Sequence, residues 1–93
     1  MMERYMIVKL KKDTDEKAMY EQISDLFSEA VKIDGVRKAD VYVSNHDLRQ
    51  RYDLMIRIRL NKKAVQDLEG SEFYRRWKQE YSEHIEKITV FDI

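Results

Sequence analysis

The segment from residue 52 to residue 60 limits the fold of this chain more than any other. Its side chains alternate between two sides, and the apolar side carries Tyr52, Leu54, Ile56, Ile58 and Leu60. The other side carries Asp53, Met55, Arg57 and Arg59. A period of two is typical of a β-strand with one buried face, because successive side chains point to opposite sides of a sheet. We therefore expect a central strand whose apolar side is covered by helices.

Three further segments alternate in the same way and are predicted as strands. They span residues 5–10, 38–43 and 88–91. The sides that we expect to face the helices carry Met6, Val8, Leu10, Val41, Val43, Leu54, Ile56, Ile58, Ile88 and Val90. The opposite side, which we call the mixed face, carries Tyr5, Ile7, Lys9, Asp40, Tyr42, Met55, Arg57, Arg59, Thr89 and Phe91. The mixed face is too aromatic for a plain solvated surface, so we expect something to cover it.

A long amphipathic helix is predicted between the first two strands. Asp13 and Glu16 have the spacing of a capping box, and Thr14 is a rival cap. Apolar residues then recur at three- and four-residue steps, as Met19, Ile23, Leu26, Phe27, Ala30 and Val31. Gly35 is the expected stop of this helix.

The second helical region is predicted to be broken in two. Asn61 would cap a short helix that ends at Gly70, and Ser71 would open a second helix. The second helix would carry Phe73, Trp77 and Tyr81, and the last strand would follow it to the end of the sequence.

The resulting order predicts an α+β domain of ferredoxin-like βαββαβ type with a four-stranded antiparallel sheet. Right-handed crossovers place the first and third strands in the centre and both helical layers on one face. No Pro-, Gly- or Ser-rich linker interrupts the chain, so we expect a single domain over residues 1–93. A regulatory module of amino-acid-binding type shares this strand order and stays open as an interpretation.

The composition argues against several classes of function. Lys plus Arg and Asp plus Glu number 18 each, so no net positive charge favours a nucleic acid. The sequence has no cysteine, which removes disulfides and thiolate chemistry and is typical of a reducing cytoplasm. The apolar run at the start is too short for a signal peptide or a membrane span. We expect a cytoplasmic protein with no nucleic-acid or membrane partner.

The two histidines form no strong catalytic or metal-binding motif. His46 lies in the polar segment 44–50, where a solvated turn is the commoner interpretation. His84 follows Glu80 by four residues, but two ligands do not make a metal site. No Gly-rich phosphate loop, G-x-S-x-G sequence or H-E-x-x-H sequence occurs. We predict neither a metal nor a cofactor.

Four stretches in the right order resemble the stress-responsive A/B barrel (Dabb) family. They are residues 4–11, 33–36, 52–54 and 86–92, so the resemblance spans nearly the whole chain. It implies a dimeric α+β barrel, a homodimer in which two sheets pack through the mixed face and edge strands meet across the interface. Such a dimer would explain what covers the mixed face.

The resemblance also raises the question of catalysis, because a polyketide cyclase with this fold uses a His and a Tyr. The family's His-Pro-x-His segment corresponds here to residues 71–74, which contain no histidine and end in Tyr74. The His often found in the opening strand is replaced by Arg4. The cyclase chemistry therefore does not transfer residue by residue, and the sequence leaves open whether the chain is an enzyme.

The candidate ligand-binding residues are Tyr5, Tyr42, Arg57, Tyr74 and Trp77. A buried Arg57 needs an anion, which Asp40, Asp53 or a bound acid could supply. Tyr74 stands where the family has a His and could orient a bound carbonyl. The simpler interpretation is an interfacial salt-bridge network around Arg57 and a stripe of core aromatics around Trp77.

Two functional hypotheses follow from these features. The first is a homodimer that binds a small aromatic or carboxylated metabolite in the barrel through the candidate residues. The second is a non-enzymatic dimeric scaffold or stress-related interaction protein, in which the mixed face is only an interface. The sequence identifies neither the ligand, nor the pathway, nor any assembly beyond a dimer.

Overall fold

The computed structural model of the chain describes residues 1–45 and 52–93. Its strands are β1 (Met2–Leu10), β2 (Val36–Val43), β3 (Leu54–Leu60) and β4 (Ile85–Asp92). They pair antiparallel in one four-stranded sheet of order β2-β3-β1-β4. The prediction of a ferredoxin-like βαββαβ order with β1 and β3 in the centre is confirmed.

The helices are α1 (Glu16–Phe27), α2 (Val65–Glu69) and α3 (Glu72–Tyr81), with short 3₁₀ turns at Ala30–Lys32, Lys62–Ala64 and Ser82–His84. Asp15, rather than Asp13 or Thr14, caps α1, because its carboxylate accepts a hydrogen bond from the backbone N–H of Ala18 at 3.1 Å. Asp13 lies in the preceding turn with a φ of +71°. Within the described ranges, no helix is long and apolar enough to cross a lipid bilayer.

The end of α1 and the beginnings of the later helices agree only in part with the sequence prediction. α1 ends at Phe27, and Val31 lies exposed in the 3₁₀ turn that follows instead of on the helix. Ser71 caps α3 as predicted, since its Oγ accepts a hydrogen bond from a backbone N–H of the first turn at 3.3 Å. Asn61 precedes a 3₁₀ turn without a side-chain capping hydrogen bond, so the cap predicted there is wrong.

Gly35 connects the first 3₁₀ turn to β2 at a φ of +91°, which residues with a Cβ rarely adopt. A Cβ at this position would lie 2.9 Å from the Cβ of Ala64. The carbonyl of Gly35 also accepts a hydrogen bond from the backbone N–H of Asn61 at 2.8 Å. Both the backbone angle and the close approach of these two segments therefore require glycine.

The core lies between the helices and one side of the sheet. Its almost completely buried side chains are Met6, Val8, Ile23, Phe27, Leu54, Ile56, Ile58, Leu60 and Leu68. Phe27 of α1 packs edge-to-face against Phe73 and Trp77 of α3, with ring centroids 5.3 and 5.2 Å apart. This aromatic cluster fixes the two long helices to each other above the sheet.

The helices cover the edge strands less completely than predicted. Val43 of β2, Ile88 of β4 and Val90 of β4 lie on the helix side of the sheet, but they are 47%, 40% and 50% exposed. The central strands are buried on the same side, and the sheet extends beyond the helices at both edges. The expectation that the helices bury these three side chains is therefore wrong.

Tyr52 lies on the opposite side of the sheet from the one predicted. The chain bends at Asp53, immediately before β3 begins, and the bend interrupts the alternation of side chains. The Tyr52 hydroxyl lies 3.2 Å from Oγ1 of Thr89, a residue of β4 on the mixed face. Tyr52 therefore belongs to the mixed face.

Candidate functional site

Two of the candidate ligand residues, Tyr5 and Arg57, meet at one end of the mixed face. Tyr5 of β1 and Asp40 of β2 are each directly opposite Arg57 of β3. Glu3 joins two of them, because its Oε1 accepts hydrogen bonds from the Tyr5 hydroxyl at 2.7 Å and from Arg57 Nε at 2.8 Å. Glu3 was not among the residues predicted from the sequence, although its position two residues before Tyr5 on one strand places both side chains on the same face.

The group around Arg57 is electrostatically paired within one subunit. Hydrogen bonds from Arg57 and Tyr5 lower the pKa of the Glu3 carboxyl below its ordinary value. Hydrogen bonds to Glu3 and then to Tyr42 raise the pKa of the Arg57 guanidinium. The hydrogen bond to Glu3 also raises the pKa of the Tyr5 phenol. Arg57 therefore has an anionic partner without a bound ligand.

The carboxylates that the sequence offered as partners for Arg57 lie elsewhere. Asp53 accepts a hydrogen bond from the backbone N–H of Leu10 through Oδ2 at 2.7 Å. Oδ2 of Asp40 lies 3.8 Å from Nζ of Lys38, and no donor in the described part of the chain forms a hydrogen bond with this oxygen. The observed ion pair of Arg57 is with Glu3. A buried carboxylate oxygen without a hydrogen bond is uncommon, so Asp40 has an acceptor available for another molecule.

A second polar cluster lies at the other end of the mixed face. Lys9 of β1 and Lys87 of β4 are directly opposite each other. The hydrogen bond with Thr89, followed by the positive charges of Lys87 and Lys9, lowers the pKa of the Tyr52 phenol below its ordinary value. This cluster was not predicted from the sequence, because only the strand register and the bend before β3 bring its members together.

A cavity of about 300 Å³ opens on the mixed face where β2 ends and β3 begins. Its lining residues are Ile7, Tyr42, Val43, Ser44, Asn45, Tyr52, Leu54 and Met55. Small-molecule sites usually have mainly apolar walls, a few polar groups and a volume of at least roughly 300 Å³. The cavity fits this description at its lower limit, and Tyr42 is the candidate residue that lines it.

Tyr74 and Trp77 lie on the helix side of the sheet, where they are 5% and 3% exposed. The sheet separates them from the mixed face, so the five candidate residues form two groups instead of one site. The Tyr74 hydroxyl accepts a hydrogen bond from Arg4 Nη1 at 3.4 Å and contacts Met6 Sδ at 3.8 Å. Burial raises the pKa of the Tyr74 phenol above its ordinary value.

Arg4 is a buried charged residue in the centre of this second group. Its Nε and Nη2 donate to the carboxylate of Asp92 at 2.8 and 3.0 Å, and its Nη1 donates to Glu69 at 2.7 Å. The hydrogen bonds to Asp92 raise the pKa of Arg4, and they lower the pKa of Asp92. Arg4 and Tyr74 are therefore in contact, and the resemblance to the Dabb family places a histidine at each of these two positions. The sequence signal for this cluster was a cation at a strand position that faces the core.

Trp77 also lines a groove of about 290 Å³ between α3 and the beginning of β4. The other residues of this groove are Lys78, Ser82, Ile85, Glu86, Lys87 and Ile88. Nζ of Lys78 lies 5.2 Å from the ring centre of Tyr74, which places its charge over the aromatic face. The groove is thus apolar in its floor and charged at its rim.

His84 does not form a metal site with the described residues. Glu80 accepts a hydrogen bond from Arg76 at 3.0 Å, whereas His84 lies 3.5 Å from the carboxylate of Glu83. Because α3 ends at Tyr81, Glu80 and His84 do not share a helix face. Residues 1–45 and 52–93 contain no cluster of three His, Cys, Asp or Glu side chains that could hold a metal ion. His46 lies outside the described residues.

The fold recurs in solved structures of low sequence identity. A dimeric ferredoxin-like protein of unknown function from Thermobifida fusca has a TM-score of 0.84 and 8% identity, covering 99% of this chain and 88% of that one. A dimeric protein of unknown function and ferredoxin-like fold from Bacteroides fragilis has a TM-score of 0.82 and 13% identity, covering 99% and 93%. A Dabb family protein with a ferredoxin-like fold from Mesorhizobium loti has a TM-score of 0.72 and 12% identity, also covering 99% and 93%.

No family model matches the sequence, and no curated protein matches it. The solved structures share the fold with this chain over almost its whole length and include a Dabb family protein. The resemblance read from the sequence is therefore confirmed at the level of the fold.

Proposed function

We propose that this chain is a homodimeric protein of the stress-responsive A/B barrel family, in which two sheets pack through their mixed faces. The observation that carries the proposal is the exposure of large aromatic side chains on one sheet face of a single subunit. Phe91 is 58% exposed and Tyr42 is 42% exposed on this face. Exposed apolar patches of this kind usually mark an interface. The description of two structural neighbours as dimeric supports a homodimer.

The polar groups of the mixed face also suit a facing sheet. Asp40 has a buried carboxylate oxygen that receives no hydrogen bond from the described residues. Arg59 of β3 is exposed on the same face. In a two-fold interface each contact occurs twice, so a donor that reaches Asp40 from the facing sheet would satisfy both subunits. Dimerisation would then supply a hydrogen bond to the buried Asp40 oxygen that lacks one in the isolated subunit.

We further propose that the dimer binds a small aromatic or carboxylated metabolite at the mixed face. The cavity beside Tyr42 supports this proposal, since a second sheet placed over it would convert an open depression into an enclosed pocket. Tyr5 and Arg57 would border the ligand as an internally paired group. Trp77 and Tyr74 would contact a ligand only from the helix side, where Trp77 lines the separate groove beside β4.

A non-enzymatic scaffold is the second candidate function. It is favoured by the contacts of Arg4 and Tyr74, which stand at two of the positions where the resembling family often has a histidine. Arg4 is held by two carboxylates, and the hydroxyl of Tyr74 is buried against Arg4 and Met6. Side chains fixed in this way are poor acids or bases near neutral pH, because an arginine does not release its proton. In this case the mixed face would serve as an interface alone.

Native mass spectrometry of gently purified protein tests these proposals together. The expected result is a mass of two subunits at micromolar concentration, with additional mass that is lost on denaturation. A dimer without additional mass would favour the scaffold. A monomer would contradict the proposal, because it would leave Phe91 and Tyr42 in solvent.

A further inference from the structure

We propose that the mixed-face pocket recognises an aromatic carboxylate through Tyr52 and Lys87, with Lys9 beside them. This inference rests on the proposed function, because it requires the mixed face to carry the ligand. It differs from the sequence hypothesis in the cation that it assigns, since that hypothesis placed the carboxylate at Arg57. The juxtaposition that carries it is the phenol of Tyr52, which lines an apolar cavity and whose hydroxyl reaches Thr89, two residues from Lys87 on the same face of β4.

The two lysines are brought together by the sheet register. Lys9 and Lys87 are directly opposite each other on antiparallel strands, and like charges in this position repel. Lys9 has further contacts within its own subunit. Lys87 is exposed, and no carboxylate of the described residues forms an ion pair with it. An anion beside Lys87 would give this exposed ammonium a partner of opposite charge.

Tyr52 lies between the cavity and this pair of lysines. Its side chain lines the cavity, and its hydroxyl lies 3.2 Å from Oγ1 of Thr89. A phenol in this position can donate a hydrogen bond to a carboxylate oxygen, and the positive charges that lower its pKa strengthen it as a donor. Hydrogen bonds with an ionised partner are roughly twice as strong as those between neutral groups. The phenol and the ammonium of Lys87 can therefore bind the same carboxylate.

The rest of the cavity fits the ring of such a ligand. Ile7 and Met55 provide an apolar floor, and the ring of Tyr42 forms part of a wall. The sulfur of a methionine and the face of a tyrosine both pack well against an aromatic ring. The volume of about 300 Å³ suits a small aromatic acid better than a large cofactor.

Arg57 is a weaker candidate for the carboxylate because its guanidinium is already paired. Its Nε donates to Glu3 at 2.8 Å, and this contact would have to be broken or shared. A second carboxylate near Glu3 would also repel it. Charge complementarity therefore favours the end of the mixed face that contains Lys87.

Calorimetric titration with benzoate as the probe, and with neutral benzamide as its comparison, tests the inference. We expect saturable binding of benzoate to the wild type and binding of benzamide that is weaker by about tenfold or more. Lys87→Met and Tyr52→Phe should each weaken benzoate binding by about tenfold. Lys63→Met is the matched control, because Lys63 is an exposed lysine in a 3₁₀ turn away from the mixed face, and it should leave binding unchanged.

The mass of each sample in solution, measured by light scattering, distinguishes a failure of the proposed ligand site from a failure of the proposed homodimer. A dimer that binds no benzoate, or whose Lys87→Met variant binds it like the wild type, would overturn the Tyr52 and Lys87 site and leave the homodimer intact. A monomeric wild type would overturn the proposed function together with this inference. Thermal unfolding of each variant identifies any loss of binding that is caused by loss of the fold.

Discussion

Arg4 and Asp92 join the first strand to the end of the last strand by two parallel hydrogen bonds, from Nε to Oδ1 at 2.8 Å and from Nη2 to Oδ2 at 3.0 Å. Arg4 also reaches Glu69 of α2 at 2.7 Å. One buried guanidinium thus connects β1, β4 and the helical layer at one end of the domain. Ion pairs therefore join the strands and the helical layer at this end of the sheet, whereas most of the core is apolar.

Replacing Arg4 by Met should lower the free energy of unfolding by about 2 kcal/mol, because charge-assisted hydrogen bonds are lost and two carboxylates remain beside an apolar side chain. Met keeps much of the packing volume, so the change isolates the polar contacts. Urea unfolding at fixed protein concentration measures the effect. Arg76→Met is the control, since Arg76 forms ion pairs at the surface with Glu29 and Glu80 that should contribute less than about 1 kcal/mol. Equal effects of the two substitutions would contradict the role of Arg4.

The contact of Asp92 with Arg4 should make stability depend on pH in the acid range. Arg4 lowers the pKa of Asp92 in the folded state below its ordinary value of 3.8. The contribution of this ion pair to the free energy of unfolding is therefore fully present above the ordinary pKa of Asp92. It is lost as the pH falls through the lower, folded-state pKa. We expect Asp92→Asn to be less stable than the wild type at neutral pH and the difference to shrink below about pH 4. Unfolding curves over this range would contradict the account if the difference were independent of pH.

Gly35→Ala should destabilise the protein by at least about 1 kcal/mol, because a residue with a Cβ is strained at positive φ. The new Cβ would also lie 2.9 Å from Ala64, so the start of β2 or the turn before α2 would have to move. Gly70→Ala is the comparison, since Gly70 lies at a φ of −90° and lacks this backbone strain. Thermal unfolding should show the larger loss for Gly35→Ala. The reverse order would show that the turn at Gly35 relaxes freely.

The order of elements was predictable because the central strands leave a strong signal in the sequence. In β3, Leu54, Ile56 and Ile58 are buried while the residues between them are partly exposed, and β1 follows the same pattern. The edge strands were harder to predict, because residues such as Val90 obey the same alternation whether or not a helix covers them. Alternation with a period of two predicts which side of the sheet a residue faces, but not how far the helices extend over that side.

The candidate site was predictable only in part, because its contacts join distant parts of the chain. Tyr42, Tyr5 and Arg57 were placed correctly on the mixed face by alternation alone. The contact between Tyr52 and Thr89 depends on a bend at Asp53 that breaks the alternation, so the sequence pattern placed Tyr52 on the wrong side. The choice of Glu3 over Asp40 as the partner of Arg57 depends on side-chain reach across a diagonal of the sheet.

Burial of the mixed face between two subunits is the central claim, and Phe91 offers a direct test of it. Phe91→Glu places a charge at a position that is 58% exposed in the isolated subunit. The new carboxylate should therefore have little effect on folding, and it should oppose dimerisation only if a second sheet covers residue 91. Val31→Glu is the matched control, because Val31 is 48% exposed on the helix side, far from the mixed face.

Sedimentation velocity of the wild type and both variants at micromolar concentration is the measurement that tests this claim most directly. The account predicts a dimer for the wild type and for Val31→Glu, and a folded monomer for Phe91→Glu, with circular dichroism confirming that its helices and strands are retained. If the Phe91→Glu variant formed a dimer as stable as that of the wild type, the result would contradict the packing of the two mixed faces.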